Sequence, residues 1–455
     1  HHCEASHLLR PNGQETLTVF WVHLLIVIAF IVIGSRLGGI GIGLAGGAGV
    51  LVLAATGVHT DSTKAIPWSV IGIIMTVICA VAAMELAGGI DHLVHLTEKL
   101  LRKHPKHITF LAPVVTYLMA LLCGTGHTAY SVIPVIVDVS KQHGVRPSRP
   151  LSIAVVASQV AVAASPISAA MIALTTILEP IHVGYLQCLA IIIPTTFIGT
   201  LVGAAVAGHM GKELADDPVY KDRMAKGLVR DPGTGNADYK APKGAVASLV
   251  TFLVTLILVV LYATFTSPEV GLVKDPPMGS SPAIMLMMLT CAVVVCLLAR
   301  KPTSTITTQS TFRSGMSAAI SIMGLAWLGN TFVTAYMDTI KSALQGPLQA
   351  QPWLLGVFFY LAAPLMFSHA ATTAAFMPLM VKLGLPAVAL VACYPAVANY
   401  YLLPNYPTTV AAIEMDDTGS TRAGKFPLNH PFVIPGTVSI IVTIILGFLL
   451  APLVL

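Results

Sequence analysis

Apolar segments of about twenty residues recur along this chain, and they restrict its fold more than any other feature. Each of the clearest ones is long enough to cross the hydrocarbon core of a bilayer as a helix. Only 10% of the residues are charged, against roughly 25% in soluble domains, so lipid must cover much of the surface. The pattern predicts an all-α polytopic membrane protein in a lipid bilayer, with residues 17–33, 39–56, 68–88, 186–207, 245–265, 282–298 and 433–450 as its clearest spans.

The two halves of the chain carry the same pattern of breaks. Residues 124–128 (GTGHT) and 368–372 (SHAAT) lie 244 positions apart, and Pro166 and Pro407 lie 241 positions apart. Each half reads as three spans, a re-entrant hairpin, an interrupted span and a last span. Because five crossings are an odd number, the second half begins on the opposite face and the repeats are inverted. We therefore predict two inverted repeats, with about ten transmembrane helices plus two re-entrant hairpins at residues 108–139 and 353–381.

Lysine and arginine are distributed unequally between the two faces that this topology creates. One face would receive 20 of the 25 Lys and Arg residues, seven of them in the polar segment 209–244. Cytoplasmic loops of membrane proteins carry such an excess. The sequence therefore predicts a protein of the bacterial inner membrane, with residues 209–244 as a cytoplasmic linker and with both termini in the periplasm.

Four breaks in the apolar pattern carry the candidate site. They fall at residues 124–128, 164–168, 368–373 and 404–409, and each is followed by sequence that can resume a helix. Irregular backbone inside a membrane is tolerated only where it is buried in protein or lines a wet cavity. Each break is expected to end in a helix N-terminus, which has free N–H groups and a partial positive charge. Four such ends around one cavity would suit an anion with a carboxylate at each end.

The candidate substrate-binding residues are those of the breaks that can offer a backbone N–H, a hydroxyl or another polar group. Ser165 is expected to cap the helix that Pro166 begins, and Pro407 is expected to occupy a first helical position. The alternative is that the breaks are proline kinks whose hydroxyls bond back to their own helices. The full set is Gly124, Thr125, Gly126, His127, Thr128, Ser165, Pro166, Ser168, Ser368, His369, Thr372, Thr373, Asn405, Tyr406, Pro407, Thr408 and Thr409.

His127 and His369 lie at the two predicted hairpin tips. An ionisable side chain there is a candidate for carboxylate contact or proton coupling, although an isolated histidine can also simply bond a neighbouring helix. The glycine spacing of Gly39, Gly43 and Gly47 favours close helix packing over a dinucleotide site, because no strand precedes it. No nucleotide, zinc-protease or hydrolase motif is present, and the basic residues form no stripe. The sequence predicts no cofactor, no metal site, no nucleic-acid partner and no enzymatic activity.

Six stretches of the sequence together resemble the anaerobic C4-dicarboxylate uptake and exchange (Dcu) family. The resemblance extends from about Leu24 to the C-terminus and implies transport of fumarate, succinate, malate and aspartate. The polar extension 1–16 lies outside it. The stretches are RLGGIGIGLAGG from Arg36, GGIDHLVHLTEKLLRKHPKHIT from Gly88, CGTGHTAYSVIPVI from Cys123, ASPISAA from Ala164, LLPNYPTTVAAIEMDDTGSTRAGKF from Leu402 and NHPFVIPG from Asn429.

The resemblance also implies a homodimeric, elevator-type transporter, in which a transport domain moves against a scaffold. The sodium-coupled relatives carry Ser-Asn-Thr at their hairpin tips, whereas this chain has Gly-Thr-Gly-His-Thr and Ser-His-Ala-Ala-Thr. The implied parts are the N-terminal extension 1–16, scaffold helices in 17–107 and 245–351, the transport domain in 108–208 and 352–455, and the linker 209–244.

The resulting hypothesis is a secondary transporter of C4-dicarboxylates that works by alternating access, through exchange, proton-coupled uptake or both. One alternative is a monovalent cation/proton antiporter of similar architecture. Another is an intramembrane hydrolase, for which Ser131 near His127 is the one suggestive pair. A channel or a sensory protein is a further possibility.

Overall fold

Helices form most of the chain in the computed structural model, which describes residues 13–37, 40–233, 235, 237–266, 270–366, 368–404, 406–426 and 428–455. No strand occurs among these residues. Nine helices in this part of the chain are long and apolar enough to cross a membrane. The predicted all-α polytopic fold is therefore confirmed.

The first half contains ten α-helices. Three apolar helices come first, and a hairpin of two shorter helices follows. An interrupted pair and one long helix then complete the half. In chain order they are α1 (Gly13–Leu37), α2 (Gly41–Ala55), the short α3 (Ser62–Ala65), α4 (Trp68–Leu86), α5 (Gly89–Lys103), α6 (Ile108–Cys123), α7 (Ala129–Gln142), α8 (Ser148–Ala164), α9 (Ala169–Leu178) and α10 (Tyr185–Ala207).

The second half follows the polar linker and repeats this order. A hairpin again follows three long apolar helices, and an interrupted segment again precedes the last helix. The linker contains α11 (Pro218–Ala225). The second half then contains α12 (Ala245–Phe265), α13 (Ser280–Ala299), α14 (Ser310–Ala335), α15 (Met337–Ala350), α16 (Leu354–Met366), α17 (His369–Lys382), α18 (Ala387–Cys393), α19 (Pro407–Met415) and α20 (Val433–Val454).

The nine long helices differ slightly from the crossing helices that the sequence predicts. They include Pro105–Cys123, which is one arm of the first hairpin, and they count the interrupted α8–α9 segment Ser148–Ile181 as one. They omit α2 and the α18 segment, which are apolar but shorter than 18 residues. At about 1.5 Å per residue, the 16 residues of α6 and the 14 residues of α7 fit a hairpin better than two full crossings.

Helix α5 was not predicted, because its many charged residues resemble those of a basic loop. Its apolar residues Ile90, Val94 and Leu101 recur at the spacing of one helix face. Ile90 and Leu101 are buried, whereas Asp91, Lys99 and Lys103 are exposed. An amphipathic helix of this kind precedes each hairpin, since α15 occupies the corresponding place before α16.

The helices pack in two groups. In one group α6 and α10 pack against α8, and α10 packs against α20. Thr116 Oγ1 donates to the Ala154 carbonyl at 2.7 Å and thereby joins α6 to α8. In the other group α2 and α4 pack against α14, and α12 and α13 pack against α4. The groups meet where α4 contacts α9 and where α14 contacts α17.

Glycines allow α2 and α14 to touch backbone to backbone. A Cβ on Gly324 would lie 1.8 Å from the carbonyl oxygen of Gly43, and one on Gly46 would lie 2.5 Å from the carbonyl carbon of Gly324. Close packing is thus confirmed at Gly43, but its partner on α2 is Gly46. A Cβ on Gly47 would have no atom within 4 Å, so that glycine does not face α14. Gly39 lies outside the described residues.

The linker is tied to the rest of the protein by buried ion pairs. The Asp217 carboxylate accepts from Arg146 at 2.7 Å and from Arg422 at 3.0 Å. Lys141 Nζ lies 3.0 Å from the Asp417 carboxylate, which also accepts from the backbone N–H of Arg230 at 2.8 Å. Both ends of the α11 region are therefore bonded to the segment between α19 and α20.

Asp217→Asn is expected to loosen the linker by about 3 kcal/mol, because it leaves two guanidinium groups around a site that no longer carries a charge. The side chain of Asp217 is 1% exposed. Trypsin at pH 8 should then cleave within residues 209–230 faster than in the unaltered protein. Asp222→Asn is the matched control, since the Asp222–Lys226 pair is exposed and contributes little. Equal cleavage rates in the two variants would contradict the expectation.

The same contact predicts a pH dependence. Burial alone would raise the pKa of Asp217, but the Arg422 and Val219 N–H donors and the charge of Arg146 together hold that pKa below its ordinary value. A lowered folded-state pKa contributes stability above the unfolded value, near 3.9, that is lost as the pH falls through the folded value. Below that point the unaltered protein and Asp217→Asn should be cleaved by pepsin at similar rates.

Candidate functional site

A cavity of about 410 Å³ lies where the two groups of helices meet. One wall comes from α4 and α14, through residues such as Val77 and Ser321. The other wall comes from both hairpin tips and from the breaks before α9 and α19. Six of the predicted site residues line it: Gly124, Thr125, Gly126, Ser368, His369 and Tyr406.

The first hairpin turns at Gly124, which ends α6 in the left-handed region with φ 67°. A Cβ there would lie 3.1 Å from the Ile167 side chain, so both the backbone angle and the contact favour glycine. A single 3₁₀ turn over Gly126–Thr128 follows before α7 begins at Ala129. The tip therefore presents backbone to the cavity, next to the break between α8 and α9.

The break between α8 and α9 ends in a serine cap, but the cap is Ser168 and the expectation for Ser165 was wrong. Ser168 Oγ accepts from the N–H of Met171 at 3.1 Å, and α9 begins at Ala169. Ser165 Oγ instead donates to the Leu121 carbonyl of α6 at 2.6 Å. Pro166 does not begin the helix, because Pro166 and Ile167 form a turn in which the Ser168 N–H donates to the Ser165 carbonyl at 3.2 Å.

The second hairpin tip has a similar cap. Ser368 is extended, and its Oγ accepts from the N–H of Ala371 at 3.1 Å, so that α17 begins at His369. His369 Nε2 donates to the Gln159 carbonyl of α8 at 2.7 Å. The His369 ring also lies edge-on to Tyr400, with the ring centroids 4.4 Å apart. This histidine thus joins the hairpin tip to two elements of the cavity wall.

The fourth break ends at Pro407, which is the first residue of α19 as predicted. The N-cap residue is Tyr406, with ψ 142°. Thr408 Oγ1 accepts from Gln159 Nε2 at 3.1 Å. Asn405 and the side chains of His127 and Pro407 lie outside the described part of the structure.

Several predicted hydroxyls are used within their own helices. Thr372 donates to the Ser368 carbonyl at 2.7 Å, Thr373 to the His369 carbonyl at 2.8 Å, and Thr409 to the Tyr406 carbonyl at 2.6 Å. All three threonines are fully buried. The structure places them, with Thr128, Ser165, Pro166, Ser168 and Thr408, behind the cavity wall and not among the residues that line it.

Two helix N-termini lie in the cavity wall. Ala169 and Ala170 begin α9, His369 and Ala370 begin α17, and all four line the cavity. The first amides of a helix have no acceptor within the helix and carry a partial positive charge. No Lys, Arg, Asp or Glu is among the described residues that line the cavity. Such a wall can hold carboxylates through N–H groups without fixed cationic side chains.

Sequence reasoning missed five polar residues of the wall, namely Gln159, Thr311, Ser317, Ser321 and Tyr400. Gln159 lies in the middle of α8 and Tyr400 lies in the segment before α19, and both are 1% exposed. A glutamine in an apolar span is itself a signal, because polar side chains inside membranes are costly and tend to be functional. The pattern of breaks did not include Gln159, because this residue lies inside a continuous helix.

Comparison with known proteins places this arrangement in a family. The family described as anaerobic C4-dicarboxylate membrane transporter matches residues 19–455. The chain belongs to this family. A C4-dicarboxylate transporter DcuA of Wolinella succinogenes is 51% identical over 434 residues, covering 95% of this chain and 99% of that protein. A DcuA of Escherichia coli is 46% identical over 435 residues, with the same two coverages.

Two solved structures share the fold of this Dcu-family chain. The Alcanivorax borkumensis YdaH transporter, described as having an unusual topology, aligns with a TM-score of 0.58 at 17% identity and covers 96% of this chain and 98% of its own. Neisseria gonorrhoeae MtrF, described within a class of antimetabolite efflux pumps, aligns with a TM-score of 0.55 at 16% identity, covering 98% and 96%. At these identities the likeness concerns the fold alone.

Proposed function

We propose that this protein is a secondary transporter of C4-dicarboxylates that works by alternating access, through exchange, proton-coupled uptake or both. The names of the DcuA relatives support the substrate class, as does an Escherichia coli transporter named DcuB, which is 33% identical over 448 residues. The structural observation that carries the proposal is the meeting of all four helix breaks at one cavity.

The substrate binds between the two capped helix N-termini. One carboxylate accepts from the first amides of α9, at Ala169 and Ala170, and the other from those of α17, at His369 and Ala370. The turn around Gly124 adds backbone groups to the same wall. Hydrogen bonds from N–H groups to an ionised carboxylate are stronger than neutral ones, and the helix dipoles add to them. The site therefore holds a dianion through backbone groups whose positions the two serine caps fix.

The two groups of helices support a division into a moving part and a fixed part. Residues 108–208 and 352–455 form a transport domain that carries the hairpins, and residues 17–107 and 245–351 form the scaffold that presents α4 and α14. This division makes the protein an elevator-type transporter of two inverted repeats. The repeated order of helices supports it, because hairpin, interrupted segment and last helix occur in both halves. The assembly is a homodimer, as the family resemblance implies.

The excess of Lys and Arg supports a cytoplasmic linker 209–244 and periplasmic termini. The location is the bacterial inner membrane. The two alternatives lack support at the cavity. A cation/proton antiporter would use an acidic side chain there, and none occurs among the described lining residues. For a hydrolase the suggested nucleophile Ser131 is exposed and is not part of the wall.

Counterflow in proteoliposomes tests the proposed function. Vesicles loaded with succinate should take up labelled fumarate several times faster than empty vesicles. The reason is that the binding site of an exchanger returns across the membrane faster when it carries substrate. Vesicles loaded with a monocarboxylate of similar size are the control. If labelled fumarate enters neither kind of vesicle above the protein-free level, the protein is not a C4-dicarboxylate transporter.

A further inference from the structure

Only one of the two polar atoms in the Gln159 side-chain amide has a hydrogen-bond partner among the described residues. Its Nε2 donates to Thr408 Oγ1 at 3.1 Å, and its Oε1 has no hydrogen-bond partner among the described residues. The residue is 1% exposed and lines the cavity. A buried acceptor without a partner keeps the full cost of its lost hydration, so native proteins rarely retain one without a reason.

A second unpaired group belongs to the same cavity wall. The Tyr400 hydroxyl also lacks a partner among the described residues, and Tyr400 is 1% exposed and lines the same cavity. Its ring contacts those of His369 and Tyr406, with centroids 4.4 and 4.7 Å away. His369 in turn donates to the backbone carbonyl of Gln159. The residues that carry the two unpaired oxygens are therefore linked through His369, in the part of the cavity wall between the second hairpin tip and α19.

The chemistry of the two oxygens differs from that of the helix N-termini. Backbone N–H groups are donors and suit carboxylates, whereas an amide oxygen is an acceptor and would repel a carboxylate. It needs a ligand that donates. An unsubstituted C4-dicarboxylate has only C–H groups between its two carboxylates. A hydroxyl or an ammonium group on the second carbon supplies the missing donor.

We infer that Gln159 Oε1, supported by the Tyr400 hydroxyl, accepts a hydrogen bond from the substituent on the second carbon of a 2-hydroxy or 2-amino C4-dicarboxylate, and that it sets the preference for these over unsubstituted substrates. The inference rests on the proposed transport function and names the specificity residue of that site. Thr408 positions the amide, because its hydroxyl accepts from Nε2 at 3.1 Å. Tyr400 can donate or accept, so it suits either substituent.

The test is a competition assay on the full-length protein in proteoliposomes. Uptake of labelled fumarate is inhibited with unlabelled succinate, malate or aspartate, and the half-inhibitory concentration of each is measured. Gln159→Met has nearly the same length and removes both polar atoms. The ratio of the malate value to the succinate value, and that of aspartate to succinate, should rise at least about tenfold, since a site built to bond a polar group discriminates strongly through it.

Gln159→Asn is the second variant, which keeps an amide but withdraws it by one methylene. It should raise the same ratios by a smaller factor and shows the effect even if the methionine variant folds poorly. Thr408→Val, which removes the positioning contact, should also raise them. Gln187→Met is the matched control. Gln187 Oε1 accepts from the Gly184 N–H at the N-terminal end of α10, and Gln187 lies outside the cavity.

The outcomes separate the inference from the function beneath it. Unchanged ratios in the Gln159 variants overturn the inference. An equal loss for all three inhibitors also overturns it, because it would mean that the opposite amide orientation places Nε2 on the carboxylates, or that Gln159 only packs. If the unaltered protein transports no fumarate, the proposed function fails and the specificity role with it. A changed ratio with fumarate uptake retained supports both.

Discussion

Ala169→Pro is expected to raise the concentration of fumarate that half-saturates uptake by about ten- to a hundredfold. The substitution removes one N–H from the cavity wall and little else, because proline is well tolerated at a first helical position. Ser168 before it is already extended, with φ −72° and ψ 147°, as a residue before proline must be. Losing one hydrogen bond to a charged group costs about 1.5–3 kcal/mol, which corresponds to the stated factor at about 1.4 kcal/mol per tenfold.

The measurement is initial uptake in proteoliposomes over a range of fumarate concentrations. Ala169→Gly is the matched control, since it changes the side chain but keeps the N–H, and it should stay within about threefold of the unaltered protein. Thermal unfolding of both variants in detergent reports whether they fold. A proline variant that folds and transports with unchanged half-saturation would show that the α9 amides do not contact the substrate.

Gly324→Ala is expected to destabilise the protein by at least about 3 kcal/mol, the upper end of ordinary overpacking. The added methyl group would overlap the carbonyl oxygen of Gly43 at 1.8 Å. Backbone cannot move aside as a flexible side chain can, so α2 and α14 must separate. The midpoint of thermal unfolding in detergent should fall well below that of the unaltered protein.

Gly47→Ala provides the control on the partner helix α2, four residues from Gly43. No atom lies within 4 Å of a methyl group at that position, and alanine is the better helix former. Its unfolding midpoint should equal or slightly exceed that of the unaltered protein. If Gly324→Ala unfolds at the same temperature as Gly47→Ala, the backbone contact between α2 and α14 is absent in the folded protein.

The fold was largely predictable, because a bilayer leaves few options. The apolar runs predicted the long helices, and the breaks at residues 124–128 and 368–373 fall between α6 and α7 and between α16 and α17. That these helix pairs are re-entrant stays a prediction. Helix α5 was missed because its charges hide the regular spacing of Ile90, Val94 and Leu101. The pairing of α2 with Gly324 could not be predicted, because this pairing depends on which face of α14 packs against α2.

The candidate site was predictable in its backbone and less so in its side chains. A break in a helix must leave amides unpaired wherever it occurs. The matched positions of the breaks in the two halves then predicted that α9 and α17 begin at one cavity. Whether a hydroxyl faces the cavity or its own helix depends on packing, and Thr372 turns inward. Gln159 meets His369 and Thr408 across 210 and 249 positions of sequence, which no local pattern encodes.

The ion pairs of the linker mean that chain continuity is not what keeps its two ends in place. Asp217 is bonded to Arg422 before the exposed turn at Gly227, and Arg230 is bonded to Asp417 after it. Both anchors lie on the same short segment that follows α19. Two separately synthesised polypeptides divided at Gly227 would therefore still associate. The division would fall in a part of the protein that contributes no residue to the cavity wall.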